Sequence, residues 1–364
     1  MKKALVILIL LAFVGGGLFA QTVAVSGNLE AGIGVISREA EDEPVYGIVS
    51  PTAWVDGQRS QLQFTAANEE GTAGMLLRLR YDAFPGSASL AIHRGYAWLK
   101  FFDGMLEVRG GRNETTLGNY DFAGDDLGAQ YGVIGLIRPT DMITIGVGGF
   151  SPNTINTGTD WEAGGLGIWG GFGVNMPGLL GLRAQLSFQD TATHAALSAN
   201  VTAVDAFPII ATLWLRNLDE FSDEGELYVH AMIGVNMIDN LSLNVGGTFG
   251  MNSADNTDPF IAAGAYATFA MGNTVPRVDV WYVMGGEYSY GVGLHPLGST
   301  LAWGRASFDK DHTYLNIRPS VQFRVNSACY FDLGAVVNVD MGDAPAAGGD
   351  GVSFGAYAAV RVNF

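Results

Sequence analysis

From Thr22 to Ser37 the chain alternates. Val23, Val25, Gly27, Leu29, Ala31, Ile33 and Val35 fall on one parity, and Ala24, Ser26, Asn28, Glu30, Gly32 and Gly34 on the other. A side-chain period of two puts a greasy face and a small or polar face on opposite sides of a strand. The pattern returns in Met75, Leu77, Leu79 and Tyr81 against Arg78, Arg80 and Asp82, and in Leu241, Leu243 and Val245 against Ser242 and Asn244. Ile317, Val321, Phe323 and Val325 share a segment with Arg318, Gln322 and Arg324, where Pro319 is expected to break the regularity. About 16–20 strands of this kind are expected along the chain.

Tight turns at Phe102-Asp103-Gly104, Arg138 to Asp141, Met176 to Gly178, Ile238 to Asn240 and Met271 to Asn273 alternate with longer polar segments. These run from Arg38 to Val45, Asn113 to Leu127, Pro152 to Asp160, Asp219 to Gly225, Asn252 to Pro259 and Met341 to Gly351. Short turns on one side and long acidic loops on the other predict an all-β fold, a transmembrane antiparallel barrel whose strands cross in about 9–11 residues. Closure is required, because an open sheet edge in lipid leaves backbone groups unsatisfied. A soluble β-sandwich or propeller is the competing arrangement. The number of long strands and the lack of a recurring blade motif oppose it. After Gln21 no apolar run approaches the roughly 18 residues of a spanning helix.

Composition narrows the class. The 364 residues include 51 Gly, 20 Phe, 13 Tyr and 7 Trp with only 15% charged, and the mean hydropathy is +0.21. Scattered glycine excludes collagen, and 48% apolar residues exclude a disordered chain. The seven tryptophans are expected in part at membrane interfaces. Nineteen bases against 36 acids give a net charge of −17, which disfavours nucleic acid and anionic membrane surfaces as partners. Acids crowd the loops, while most arginines stand in strands, where a guanidinium keeps its charge and forks onto carboxylates.

The first 20 residues read as an address. Met1-Lys2-Lys3, an apolar run from Ala4 to Phe13 and small residues up to Ala20 form an export signal, expected to be cut after Ala20. That leaves residues 21–364 as one barrel. No cysteine follows the cut closely, so a lipoprotein is not expected; lone Cys329 has no internal disulfide partner and reads as a packed strand residue.

Candidate chemistry is sparse. Gly165-Leu-Gly167-Ile-Trp-Gly170 spells a dinucleotide fingerprint, but no helix pattern follows it. The five histidines have no metal-ligand spacing, and Asn252, Asp255 and Asp258 read as a solvated loop rather than a calcium site. With no nucleophile motif either, no enzymatic activity, cofactor or metal is expected.

The last strand is more specific. Phe354, Ala356, Ala358, Val360, Val362 and Phe364 share one face, and Ser353, Tyr357, Arg361 and Asn363 the other. This resembles the C-terminal strand of bacterial outer-membrane barrel proteins, in which a terminal Phe and alternate apolar residues are read by the barrel-assembly machinery. The resemblance assigns that signal to Val360, Val362 and Phe364, although the alanines at 356 and 358 are smaller than usual.

A second likeness covers about 35 residues. Arg94-Gly-Tyr-Ala-Trp-Leu-Lys-Phe-Phe-Asp-Gly-Met-Leu-Glu-Val-Arg-Gly-Gly-Arg112-Asn113 resembles the strand, glycine turn and strand of general diffusion porins. In that family the next loop, after the fifth strand, folds into the barrel and sets acidic residues against wall arginines. Carried over, residues 113–127 become a candidate constriction loop with Glu114, Asp121, Asp125 and Asp126, and the resemblance implies a homotrimer. The residues alone support a basic patch: Arg78 and Arg80 lie on the polar face of one strand, Arg94 on the next and Arg109 on the one after, about 4.8 Å apart per strand. Arg112 falls on the lipid-facing parity, so it needs a bulge at Gly110-Gly111 or a place at the rim. The alternative is a loop that stays in water outside.

The expectation is a porin of the bacterial outer membrane, passing ions and small hydrophilic solutes through a water-filled lumen, with outer-membrane lipid around it. Acidic loops favour cations at the mouth and the arginine patch favours anions at the wall; the balance leans to cations. The rival is a structural or adhesive surface barrel, a major surface antigen with little channel activity.

Overall fold

The computed structural model describes residues 22–38, 45–48, 58–84, 87–113, 131–150, 167–189, 192–252, 259–284, 313–341 and 352–364. The strands are β1 (Thr22–Arg38), β2 (Val45–Ile48), β3 (Gln58–Ala67), β4 (Ala73–Phe84), β5 (Ser87–Phe101), β6 (Leu106–Arg112), β7 (Tyr131–Thr140), β8 (Ile143–Phe150), β9 (Gly167–Met176) and β10 (Leu180–Gln189). They continue as β11 (Ala192–Val201), β12 (Ile209–Arg216), β13 (Glu226–Val235), β14 (Leu241–Asn252), β15 (Phe260–Phe269), β16 (Thr274–Met284), β17 (Thr313–Arg324), β18 (Cys329–Asp340) and β19 (Val352–Asn363). A 3-10 turn at Leu218–Glu220 and a single helical turn at Phe221–Glu224 are the only helical pieces among the described residues.

Each strand pairs antiparallel with its neighbour, and β1 closes the ring against β19, with Gly32 opposite Ala359. The end of the chain is tied in the same way: Phe364 and Gly27 exchange backbone hydrogen bonds of 2.9 and 3.0 Å. On its other edge β1 is shared. Ile33 lies opposite Ile48 of β2, and Asn28 opposite Gln61 of β3. β2 and β3 therefore form one interrupted stave, and the 19 strands make a closed barrel of 18 staves. A continuous strand in the β2 register would set residue 53 opposite Asn28, but Gln61 stands there, eight residues later. At the break, side chains take over from the ladder. The Glu30 N–H donates to Ser60 Oγ (3.1 Å) and the Gln61 N–H to Asn28 Oδ1 (3.0 Å). Backbone groups facing lipid are thereby satisfied where the strand partner is missing.

The alternation predicts the faces correctly. Val23, Val25, Leu29 and Ile33 point outward, Ile33 with 72% of its surface exposed, while Glu30 points in and is buried. On β19, Phe354, Val360, Val362 and Phe364 are outward, and Tyr357 and Ala359 are buried inside. Pro319 does not break β17. Arg318 faces Asp279, Ser320 faces Arg277 and Gln322 faces Val275 in one register, and the proline simply takes an outward position. The tight turns gather at one end of the barrel with the start of β1 and the end of β19. Left-handed backbone at Phe102, Asp103 and Asn240 gives them their sharpness. The turns at Leu218–Glu220 and Phe221–Glu224, between β12 and β13, lie at the other end.

Three tryptophans depart from the interface expectation, while Trp54, Trp161 and Trp303 lie outside the described residues. Trp98, Trp169 and Trp214 take inward positions, the last two fully buried, while phenylalanines such as Phe101, Phe188, Phe269, Phe323 and Phe354 are exposed on the outside. The reason is local. Inward aromatic rings lie across glycines on the next strand, Trp98 on Gly74, Phe150 on Gly167 and Tyr357 on Gly334, so the narrow glycine faces make room for them.

Candidate functional site: the lumen wall

Charge is distributed along the barrel rather than around it. Among the described residues all 15 bases lie in strands, against seven of the 17 acids.

The predicted arginine patch exists as two groups. Arg78 of β4 lies directly opposite Arg94 of β5, and Arg80 opposite Ala91. Between them β5 carries an extra residue, His93, where the register shifts. A bulge rotates the strand so that consecutive residues share a face. His93 consequently lies in the field of Arg94, Arg80, Arg78 and Arg112. Arg78 Nε donates to Gln63 Oε1 at 2.8 Å, which holds the guanidinium along the wall. Arg109 stands apart, opposite Trp98, four residues further along β5, or about 13 Å. There it pairs with Glu107 and stacks on the Tyr96 ring, 5.1 Å from its centroid. Glu107 also binds Arg138 at 3.0 Å.

Arg112 differs from both expectations. The ladder runs without a shift through Gly110 and Gly111 on both sides of β6, so no bulge forms there. The bulge is on β5 instead, and the Arg112 guanidinium reaches across to the Ile92 carbonyl beside it. A bulge leaves a backbone group without its ladder partner, and the arginine supplies one. Glu114, Asp121, Asp125 and Asp126, with the rest of segment 114–130, lie outside the described residues. Val360, Val362 and Phe364 lie outward on β19, as the parity requires.

The strands on the other side of the β1 seam, β16–β19, carry with β1 ion pairs that the sequence reading did not single out. Arg277 binds Asp332, whose other oxygen accepts from the Tyr357 hydroxyl at 3.2 Å. Arg318 binds Asp279 across β16 and β17, and Arg361 binds Glu30 at 2.9 Å across the seam between β19 and β1. Across the barrel, β10–β14 bury the charges of Arg183 and Glu226 and otherwise line the wall with neutral groups such as Ser198, which accepts from Thr212 at 3.2 Å, and Thr248 beside His230 at 2.8 Å. On β7, β8 and β9 the inward positions hold Ile134, Leu136, Phe150 and Trp169, none more than 1% exposed. Inward parity was a sufficient signal for Lys100, Glu107 and Arg138. The cross-strand pairs were hidden because their partners come from distant segments of the sequence. Among the described residues no group of His, Cys, Asp and Glu could hold a metal ion.

No protein-family model matches the chain, and no curated protein matches it in sequence. Solved structures match over almost the whole length. OprD from Pseudomonas aeruginosa aligns with a TM-score of 0.58 at 10% identity, covering 95% of this chain and 96% of that one. The outer membrane protein opdK of the same organism gives 0.58 at 10% identity, covering 95% and 99%. An anion-selective porin from Comamonas acidovorans gives 0.50 at 13% identity, covering 94% and 99%. At such identities the likeness is one of fold, and it agrees with the stave count, the antiparallel closure and the polar interior: the chain folds as an outer-membrane porin barrel.

Proposed function

We propose that the protein is an outer-membrane porin, a passive channel that lets ions and small hydrophilic solutes diffuse through a water-filled lumen. The observation that carries this reading is the contrast of faces on a closed barrel of 18 staves, apolar outside and charged inside. Barrels of about 16–18 strands are wide enough to leave an aqueous channel. The purified chain in planar lipid bilayers is expected to give stepwise conductance. Its absence overturns the reading, and loop-dependent adhesion would then favour the surface-antigen role.

The same reading places segment 113–127 in the lumen as a constriction loop. Two facts support it. Ile134, Leu136, Phe150 and Trp169 are buried although they occupy lumen-facing positions, and Asn113, at the root of the segment, is buried with its Nδ2 donating to the carbonyls of Gly111 and Gly132. Apolar side chains facing a water-filled lumen need a cover. Deleting residues 114–126 is expected to raise single-channel conductance; an unchanged value refutes the constriction. Export through residues 1–20, recognition of Val360, Val362 and Phe364 by the barrel-assembly machinery, and a homotrimer complete the proposal. No catalytic role is assigned.

A further inference from the structure

We infer that the permeant class of this channel is small anions, an inference that rests on the porin reading above. It comes from which charges the wall shows to water. Every strand carboxylate whose side chain is described is buried: Glu30, Glu107, Glu226, Asp279 and Asp332, none above 7% exposed. Four of them are held by arginines, Glu30 by Arg361, Glu107 by Arg109 and Arg138, Asp279 by Arg318 and Asp332 by Arg277. The bases behave differently. Of those with described side chains on the inner wall, only Arg183 and Arg318 are buried, while Arg78, Arg80, Arg94, Lys100 and Arg109 all keep part of their surface accessible.

The accessible bases are also grouped. Each of β1 and β6–β19 carries at least one buried inward residue, such as Glu30 on β1, Trp169 on β9, His230 on β13 and Tyr357 on β19. On β3, β4 and β5 no described inward side chain is buried. Water therefore touches the wall along these three strands, and the path runs off-centre beside Arg78, Arg80, Arg94 and Lys100. Gln63 holds the Arg78 guanidinium along this wall.

Geometry decides between wall and mouth. Exposed acids on the described turns, such as Glu69, Asp103 and Asp141, act through bulk electrolyte, where the Debye length is about 8 Å at physiological ionic strength. The four acids that the constriction reading brings into the lumen, Glu114, Asp121, Asp125 and Asp126, are fewer than the five accessible bases of the wall. Fixed charges along a narrow passage with low-dielectric walls focus their field on whatever passes. Rings and rows of Arg and Lys select anions in such pores. The wall is expected to prevail, which reverses the cation preference that the loop composition suggests.

The test uses the full-length protein in planar bilayers under a potassium chloride gradient. A reversal potential on the chloride side supports the inference. A conducting channel that prefers potassium overturns it and leaves the porin reading standing; no conductance overturns the porin reading itself. In the double variant Arg78→Gln/Arg94→Gln the chloride-to-potassium permeability ratio is expected to fall several-fold, and an unchanged ratio in a folded variant also overturns the inference. Folding is checked by heat-dependent electrophoretic mobility. If the double variant fails to fold, Lys100→Gln, which lies beyond the arginine pair on the same strand, is read for the same fall.

Discussion

Tyr357 lies flat against the wall because Gly334 opposite it has no side chain, and its hydroxyl is anchored on buried Asp332. A methyl at position 334 would overlap the ring, which has a fixed partner on one side and the strand on the other. Gly334→Ala is therefore expected to cost about 1–3 kcal/mol, the usual range for overpacking. Gly170→Ala, on the lipid face with only the Gly146 carbonyl near, should change stability by no more than about 0.5 kcal/mol. Urea unfolding of the barrel in lipid vesicles measures both. Arg112 is a second residue whose role lies in the backbone. Its guanidinium serves the Ile92 carbonyl at the β5 bulge, so Arg112→Ala should cost about 1.5–3 kcal/mol, typical of a hydrogen bond to a charged group. The sequence placed this arginine on the lipid parity, correctly, but the extra residue that gives it a task is on the neighbouring strand. Nothing in the sequence around Ile92 and His93 distinguishes a bulge from an ordinary strand.

At the level of strands, pairing turns isolated charges into links between neighbours. Asp332 on β18 holds Arg277, a residue 55 positions away in the chain. Asp332→Asn leaves that guanidinium half-buried without its carboxylate, at an expected cost of about 3–5 kcal/mol. On the outer face the penalty has another source. Val360→Arg, which lies outward on β19, should cost about 2–4 kcal/mol if its depth is near the bilayer midplane. Period-two alternation was enough to assign inside and outside for β1, β4, β14 and β19, because burial on one face reads directly as parity. It could not give partners. The ion pairs Arg277–Asp332, Asp279–Arg318 and Glu30–Arg361 depend on register between strands, and the inward turn of Trp98 and Trp169 depends on the glycines or small residues beside them. Such facts belong to two segments at once. The same limit applies to Pro319, which looked like a break in one strand and proves to be an outward residue with an uninterrupted ladder to β16 and the same register to β18 before and after it.

In the whole molecule, closure and charge are separate achievements. The described strands turn their apolar side chains outward and their paired charges inward. The bulk figure of −17 describes neither surface. Among the described residues every base stands in a strand and most acids between strands, so removal of the exposed turn acids Glu69, Glu70, Asp103 and Asp141 should alter conductance at low salt more than ion preference, which reversal potentials at low and high salt compare. The barrel's one interruption has a different implication. Because β3 meets β1 eight residues later than β2 would predict, excision of residues 49–56 brings both pieces into a single register with β1. A chain shortened by these eight residues should still assemble and conduct, with β2 and β3 fused into one continuous stave beside β1.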